Sequence, residues 1–126
     1  MKNKLIIKEC KSCNAMVKVL KDCNCKNCGI KCCGDIMSEV ISNSTDASTE
    51  RHIPTYQKVE DEIFVRVDHP MEKEHYIEWI SLVNENQETT VTLYPEQNAE
   101  IRFRYIPGST IYVYCNKHGL WNTEVK

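Results

Sequence analysis

The 126-residue sequence has no long hydrophobic run. Near its N-terminus the longest apolar stretch is Leu5-Ile6-Ile7, whereas a membrane helix needs about 20 apolar residues and a signal peptide centre about 7–15. We therefore expect no signal peptide, no membrane span and a cytoplasmic location. A helical stripe and an internal repeat are also missing, which argues against helix bundles and repeat arrays.

The chain has little room for a large hydrophobic core, and its charge is unevenly distributed. The first 37 residues carry eight lysines against three acidic residues, and the remainder carries eight basic against fifteen acidic residues. A basic N-terminal piece could bind nucleic acid, but thiolates on a metal ion would offset part of this positive charge. We expect no nucleic-acid partner.

Cysteine is abundant and clustered, with seven of the eight cysteines between Cys10 and Cys33. Residues 38–49 are rich in Ser, Thr and Asn and contain none. In a reducing cytosol such a cluster favours metal binding over disulfides. The sequence therefore predicts a metal-bound module at residues 1–37, which is too small to fold on a core alone, and a second domain at residues 38–126.

The spacing of Cys10 and Cys13 suits one tetrahedral metal ion, which needs a second pair of thiolates. Cys25 with Cys28 would complete a zinc-ribbon or rubredoxin-like pattern. Cys32 with Cys33 is unusual, because adjacent cysteines can reach one metal only through a strained backbone. Spacing alone leaves both pairs open, and a purely structural zinc ion is an alternative to iron.

Beyond residue 38, apolar and polar residues alternate with a period of two, which is typical of half-buried strands. In one run Ile101, Phe103 and Tyr105 share a face, and in another Ile77 and Trp79 are expected to share one. Further strand-like runs with turn residues between them predict an antiparallel β-sandwich or barrel. They are residues 63–67, 89–94 and 110–115.

The four histidines of the chain all lie beside turn signals or strand ends, and Cys115 precedes the last of them by three residues. Loops at one end of a sandwich could bring them together. Imidazole with thiolate is a ligand set for iron, copper or zinc, not for calcium or magnesium. A blue-copper site, with Met71 as a weak axial ligand, would leave two histidines unused. The histidines are His52, His69, His75 and His118.

Three motifs in the second domain resemble the iron-site motifs of superoxide reductases and follow in that family's order. They are Glu50-Arg51-His52-Ile53-Pro54, the run from His69-Pro70-Met71 to Glu78-Trp79-Ile80, and Cys115-Asn116-Lys117-His118-Gly119-Leu120-Trp121. The N-terminal Cys10-x-x-Cys13 with Cys32-Cys33-Gly34 is similar to the first iron centre of desulfoferrodoxins, the members with two iron centres.

The resemblance implies two irons per chain. A rubredoxin-like Fe(Cys)4 centre would be held by Cys10, Cys13, Cys32 and Cys33. A catalytic Fe(His)4(Cys) centre would have His52, His69, His75 and His118 as equatorial ligands and Cys115 as the axial ligand. It also implies a neelaredoxin-like catalytic domain with an immunoglobulin-like, seven-stranded antiparallel fold, so that the whole chain is mainly β.

The implied activity is reduction of superoxide to hydrogen peroxide without release of dioxygen, with electrons from a rubredoxin-like donor. Glu50 and Arg51 would be the catalytic residues beside the iron, although Arg51 stands where the family usually has lysine. A homodimer is a further expectation. The alternatives are an iron electron carrier without catalytic turnover and a zinc-ribbon interaction module joined to a β-sandwich.

Overall fold

The computed structural model of the protein describes residues 4–26, 29–43 and 52–126, so that Cys28, Glu50 and Arg51 lie outside the described residues. The chain divides into two compact units, Leu5–Val40 and a second built from Ile41–Lys126. Regular structure in the described ranges consists of strands and contains no helix that could cross a membrane. The sequence places the boundary near residue 38, and the units divide after Val40.

The first unit is made of short antiparallel strands. Three of them form a sheet in the order β2-β1-β5, and β3 and β4 form a separate hairpin. Its buried apolar side chains include Leu5, Ile7, Val19 and Met37, which is a small core for a folded unit. The strands are β1 (Ile7–Glu9), β2 (Met16–Lys18), β3 (Lys31–Cys32), β4 (Asp35–Ile36) and β5 (Ser38–Glu39).

The second unit contains seven longer strands in two antiparallel sheets. One sheet has the order β10-β7-β6 and the other the order β12-β11-β8-β9. The mainly β, seven-stranded antiparallel fold predicted from the sequence is thereby confirmed. The strands are β6 (Thr55–Val59), β7 (Glu62–Arg66), β8 (Ile77–Val83), β9 (Glu88–Thr92), β10 (Glu100–Arg104), β11 (Thr110–Cys115) and β12 (Gly119–Glu124).

Alternating side chains of both sheets form one continuous core in the second unit. Ile63 and Val65 of β7 and Ile111 and Val113 of β11 are fully buried, and Trp121 of β12 packs with them. Each such side chain contributes about 1.5–3 kcal/mol by leaving water. The sandwich therefore has a hydrophobic core of its own.

Antiparallel pairing brings the predicted metal-binding segments to shared strand ends. The start of β6 pairs with the end of β7, as Thr55 lies opposite Arg66. In the other sheet the start of β8 and the start of β12 both lie beside the end of β11, where Cys115 pairs with Ile77 and Gly119. The histidines and Cys115 lie at or just beyond these ends.

The pairing of β8 with β11 shifts by one residue at this same end. Trp79 lies opposite Tyr114, but Ile77 lies opposite Cys115, so Glu78 is an extra residue in β8. The expectation that Ile77 and Trp79 share a face is therefore wrong. Ile77 is buried in the core, whereas Trp79 stacks on Tyr114 on the other face of the sheet.

Candidate metal centres

The four imidazoles of the second unit are arranged in a cycle, in which each lies next to two others. Successive rings in the order 52, 69, 75, 118 and back to 52 have centroids 4.7 to 4.9 Å apart and meet edge to face. One nitrogen from each ring and Sγ of Cys115 lie within 4.8 Å of one another. The predicted set of four histidines and one cysteine is thus gathered at one place.

The inward nitrogens of His75 and His69 are available as ligands. Nε2 of His75 is buried and has no hydrogen-bond partner among the described residues, which is costly unless another group binds it. The Nδ1–H of His69 donates to the carbonyl oxygen of Pro70 at 2.6 Å, which leaves Nε2 as its lone-pair atom. Burial lowers the pKa of His69 to about 4 and also lowers that of His118, so both favour the neutral form that binds metal.

Cys115 is fully buried at the end of β11. Its Sγ lies 3.4 Å from Nε2 of His69 and 3.8 Å from Nδ1 of His118. Burial raises the pKa of the Cys115 thiol, while backbone N–H groups of Lys117 and His118 donate to the sulfur and act against that rise. A metal ion bound at this place would hold the sulfur as thiolate.

Asn116 connects two of the segments that supply these side chains. Its Oδ1 accepts from the N–H of Tyr76 at 3.0 Å, and its Nδ2 donates to the carbonyl oxygen of Glu74 at 3.0 Å. Its own N–H donates to the carbonyl oxygen of Tyr76 at 3.2 Å. The bonds surround His75 on both sides and fix it relative to Cys115, a positioning role that the sequence motif alone did not reveal.

Trp121 and Met71 also support the site. The Trp121 ring stacks on His52 with a centroid separation of 5.0 Å, and its Nε1–H donates to the carbonyl oxygen of His118 at 3.1 Å. Sδ of Met71 accepts from the N–H of Ile77 at 3.4 Å. The Met71 sulfur, considered above as a weak axial ligand to copper, therefore accepts a backbone hydrogen bond in the structure.

The second group consists of four cysteine sulfurs in the first unit. Cys10, Cys13, Cys32 and Cys33 have their Sγ atoms within 4.8 Å of one another. The Cys13–Cys32 and Cys32–Cys33 sulfur separations are 3.6 and 3.9 Å. A tetrahedron with metal–sulfur bonds of about 2.3 Å has edges of about 3.8 Å, so these spacings fit one four-coordinate ion.

The hairpin turn explains how adjacent cysteines can face one ion. Cys33 and Gly34 both have positive φ, at 56° and 85°, as a type I′ turn between β3 and β4 requires. An added Cβ at Gly34 would meet nothing within 4 Å, so the backbone angle, not space, requires glycine there. The strained backbone expected for an adjacent pair is located at Cys33.

The sulfurs of this group differ in their acidity. Backbone donation from Cys13 lowers the pKa of Cys10 to about 7, whereas hydrogen bonding to the Cys13 thiol raises the pKa of Cys32 to about 12. Without a metal, therefore, Cys10 and Cys32 do not become thiolates together. A bound cation offsets the mutual repulsion of four thiolates.

The remaining predicted residues do not join either group in the described part of the chain. Cys23 is an exposed free thiol. Cys25 is disulfide-bonded and is not a member of the four-cysteine group, so the expectation of metal binding instead of disulfides is wrong for this residue. Cys28 and the two residues expected to be catalytic, Glu50 and Arg51, lie outside the described residues.

Comparison with known proteins identifies the family. Residues 44–124 match the family model described as desulfoferrodoxin. The desulfoferrodoxin of Syntrophotalea carbinolica is 36% identical, and the match covers 98% of this chain and 99% of that protein. The chain belongs to the desulfoferrodoxin family. The desulfoferrodoxin of Nitratidesulfovibrio vulgaris is 32% identical with the same coverage.

The fold is shared with solved structures. The superoxide reductase from Treponema pallidum has a TM-score of 0.74 and 23% identity, and the match covers 98% of this chain and all of that one. The two groups of side chains correspond to the two iron sites of desulfoferrodoxins, Fe(Cys)4 and Fe(His)4(Cys). Their donor atoms fit this assignment, since four sulfurs or imidazoles with a thiolate both suit iron.

Proposed function

We propose that this protein is a superoxide reductase. It converts superoxide, one electron and two protons into hydrogen peroxide and releases no dioxygen. The observation that carries the proposal is the group of four imidazoles and Cys115, in which every histidine of the chain is used. A zinc-ribbon module or a two-histidine copper site would leave such a set unexplained.

The set of five protein ligands would favour the binding of superoxide as well as the binding of iron. Iron bound there would supply one-electron chemistry and could bind a small anion directly. Four neutral imidazoles and one thiolate leave ferrous iron with a net positive charge, which attracts superoxide. The histidines therefore contribute both ligands and an electrostatic preference for an anion.

The chain controls the site through its thiolate and its rigid surroundings. Cys115 donates electron density, and the N–H groups of Lys117 and His118 hold its sulfur in place. The Asn116 bonds and the stacked Trp121 keep the imidazoles in position. Such fixed geometry reduces reorganisation during electron transfer.

Glu50 and Arg51 complete the proposed site. Arg51 adds a positive charge that steers superoxide, an effect that weakens with ionic strength. Its guanidinium stays protonated and is a poor acid, so we assign it to steering and not to proton delivery. The Glu50 carboxylate would serve as an exchangeable ligand to iron bound at this site.

The first unit is proposed as the point of electron exchange. Cys13 and Cys33 of the Fe(Cys)4 centre are exposed, which suits transfer from a rubredoxin-like donor. A homodimer and a cytoplasmic location, where thiolates stay reduced, belong to the same proposal. An iron electron carrier without turnover is the alternative that the assay must separate.

Product stoichiometry tests the proposal. With the iron reduced beforehand, we expect each superoxide consumed to yield one hydrogen peroxide and to oxidise one iron, with no dioxygen released. Half this yield of peroxide together with dioxygen would indicate a dismutase, and slow consumption without turnover would indicate a carrier. The Cys23→Ser variant is the matched control, because Cys23 lies outside both groups.

A further inference from the structure

The extra residue of the β8 bulge lies opposite the end of β11 that carries Cys115. Trp79 pairs with Tyr114 and Ile77 pairs with Cys115, which leaves Glu78 unpaired between them. Bulges are common beside active sites because they redirect a side chain without disturbing the rest of the sheet. Here the bulge also lets Ile77 reach the core beside Cys115.

A carboxylate at this place is unusual. Glu78 is half-buried, and no hydrogen bond or ion pair joins its side chain to another group in the described residues. The register places Glu78 opposite the Cys115 end of β11, one strand spacing of about 4.8 Å away. A negative charge on Glu78 would act on Cys115 from the neighbouring strand, and the half-burial of Glu78 weakens the screening of that charge by water.

We infer that Glu78 is a positioning residue for the proposed reaction, acting through Cys115. Its negative charge, one strand away from Cys115, would raise the energy of the electrons on a thiolate at that position. A more electron-rich thiolate stabilises ferric over ferrous iron, which lowers the reduction potential and makes the reduced site a stronger one-electron donor. Electron-donating strength is thus set partly by a residue that is not an iron ligand.

The inference rests on the proposed function, but its test does not measure superoxide activity. The reduction potential and the sulfur-to-iron charge-transfer band of the Fe(His)4(Cys) centre are recorded at pH 8 for the full-length iron-loaded protein. Cys115→Ser, which removes the sulfur, identifies the band. The variants are E78Q, which keeps the shape, E78S, which shortens the side chain, and E78D, which keeps the charge.

We expect E78Q and E78S to raise the potential and to move the band to shorter wavelength, while E78D stays near the wild-type values. E124Q is the matched control, because Glu124 is exposed and pairs with Thr110 at the far end of β11. The role of Glu78 would be overturned if E78Q or E78S bound iron with an unchanged potential and band position. It would also be overturned if E78D and E78Q shifted these values equally.

The proposed function has its own readout in the same samples. A stoichiometry of one peroxide per superoxide in E78Q together with an unchanged potential would refute the role of Glu78 alone. A wild-type protein that releases dioxygen would refute the proposed function, even if the potential shift of E78Q were present.

Discussion

The two units of this protein use a metal site in different ways. The first has strands of two or three residues and few buried side chains, so its four cysteines must supply much of its folding free energy. The second has strands of five to seven residues around a continuous apolar core, and its metal ligands lie at the strand ends. The comparison indicates that the first unit depends on its metal for stability, whereas the second has a core of its own and its metal is proposed to serve chemistry.

Removing the metal should separate the two units most clearly. In metal-free protein we expect amides of residues 5–40 to exchange rapidly with solvent, while those of β7, β8 and β11 stay protected. Structural metal binding contributes about 10 kcal/mol or more in small modules, and the first unit has little else to replace it. Hydrogen exchange with mass spectrometry measures this, and persistent protection of β1 and β2 would break the comparison.

Single cysteine changes test which sulfurs stabilise the first unit. Cys32→Ser and Cys33→Ser should abolish the visible spectrum of the Fe(Cys)4 centre, because each removes one corner of the tetrahedron. Cys25→Ser and Cys28→Ser should preserve it. Visible absorption with elemental iron analysis distinguishes the pairs, and the reverse pattern would show that the ligands were assigned to the wrong pair.

Removing a single ligand from the second unit should abolish iron binding there but leave the fold intact. We expect His75→Ala and Cys115→Ser to lose the Fe(His)4(Cys) centre or its activity, while the spectrum of the first centre stays intact. Thermal unfolding of the sandwich should still be cooperative, because apart from Cys115 its core consists of side chains that are not ligands. Loss of both spectra together would show that the units depend on one another.

Substitutions of Arg51 test the proposed chemistry of the second unit. Arg51→Ala should lower the second-order rate of superoxide consumption by about an order of magnitude and flatten its salt dependence, because one steering charge is lost. Arg51→Lys keeps the charge and should stay within a few-fold. Pulse radiolysis of the reduced protein measures the rate, and wild-type capture by Arg51→Ala at low salt contradicts steering.

The smallest effect comes from a matched pair of glycines. Gly34 in the first unit and Gly108 in the second have φ of 85° and 86°, and an added Cβ meets nothing at either place. Alanine should therefore cost about 1 kcal/mol or somewhat more in both. Gly34→Ala should appear as faster iron loss from the first centre, and Gly108→Ala as a lower melting temperature. An equal loss of iron from both would contradict the division of roles.

The β-sandwich could be predicted because apolar and polar residues alternate with a period of two in several strands. One of them is β11, whose bounds of Thr110–Cys115 match the predicted run. It gave no signal for β6, where polar side chains hide the pattern, or for β12, where the buried Leu120 and Trp121 are adjacent in sequence and do not alternate with polar residues. The ligands were predictable because His and Cys carry their chemistry in their type. Asn116 and Glu78 were not, because their roles depend on a loop contact and on a register shift.

The stack of Trp121 on His52 makes the second unit an optical reporter of its own occupancy. An indole in contact with a ligand ring should lose fluorescence when iron is bound and recover it when iron leaves. The other tryptophan, Trp79, stacks on Tyr114 and provides a background that Trp79→Phe would remove. Metal exchange could then be followed in real time by the light that Trp121 emits, without any added dye.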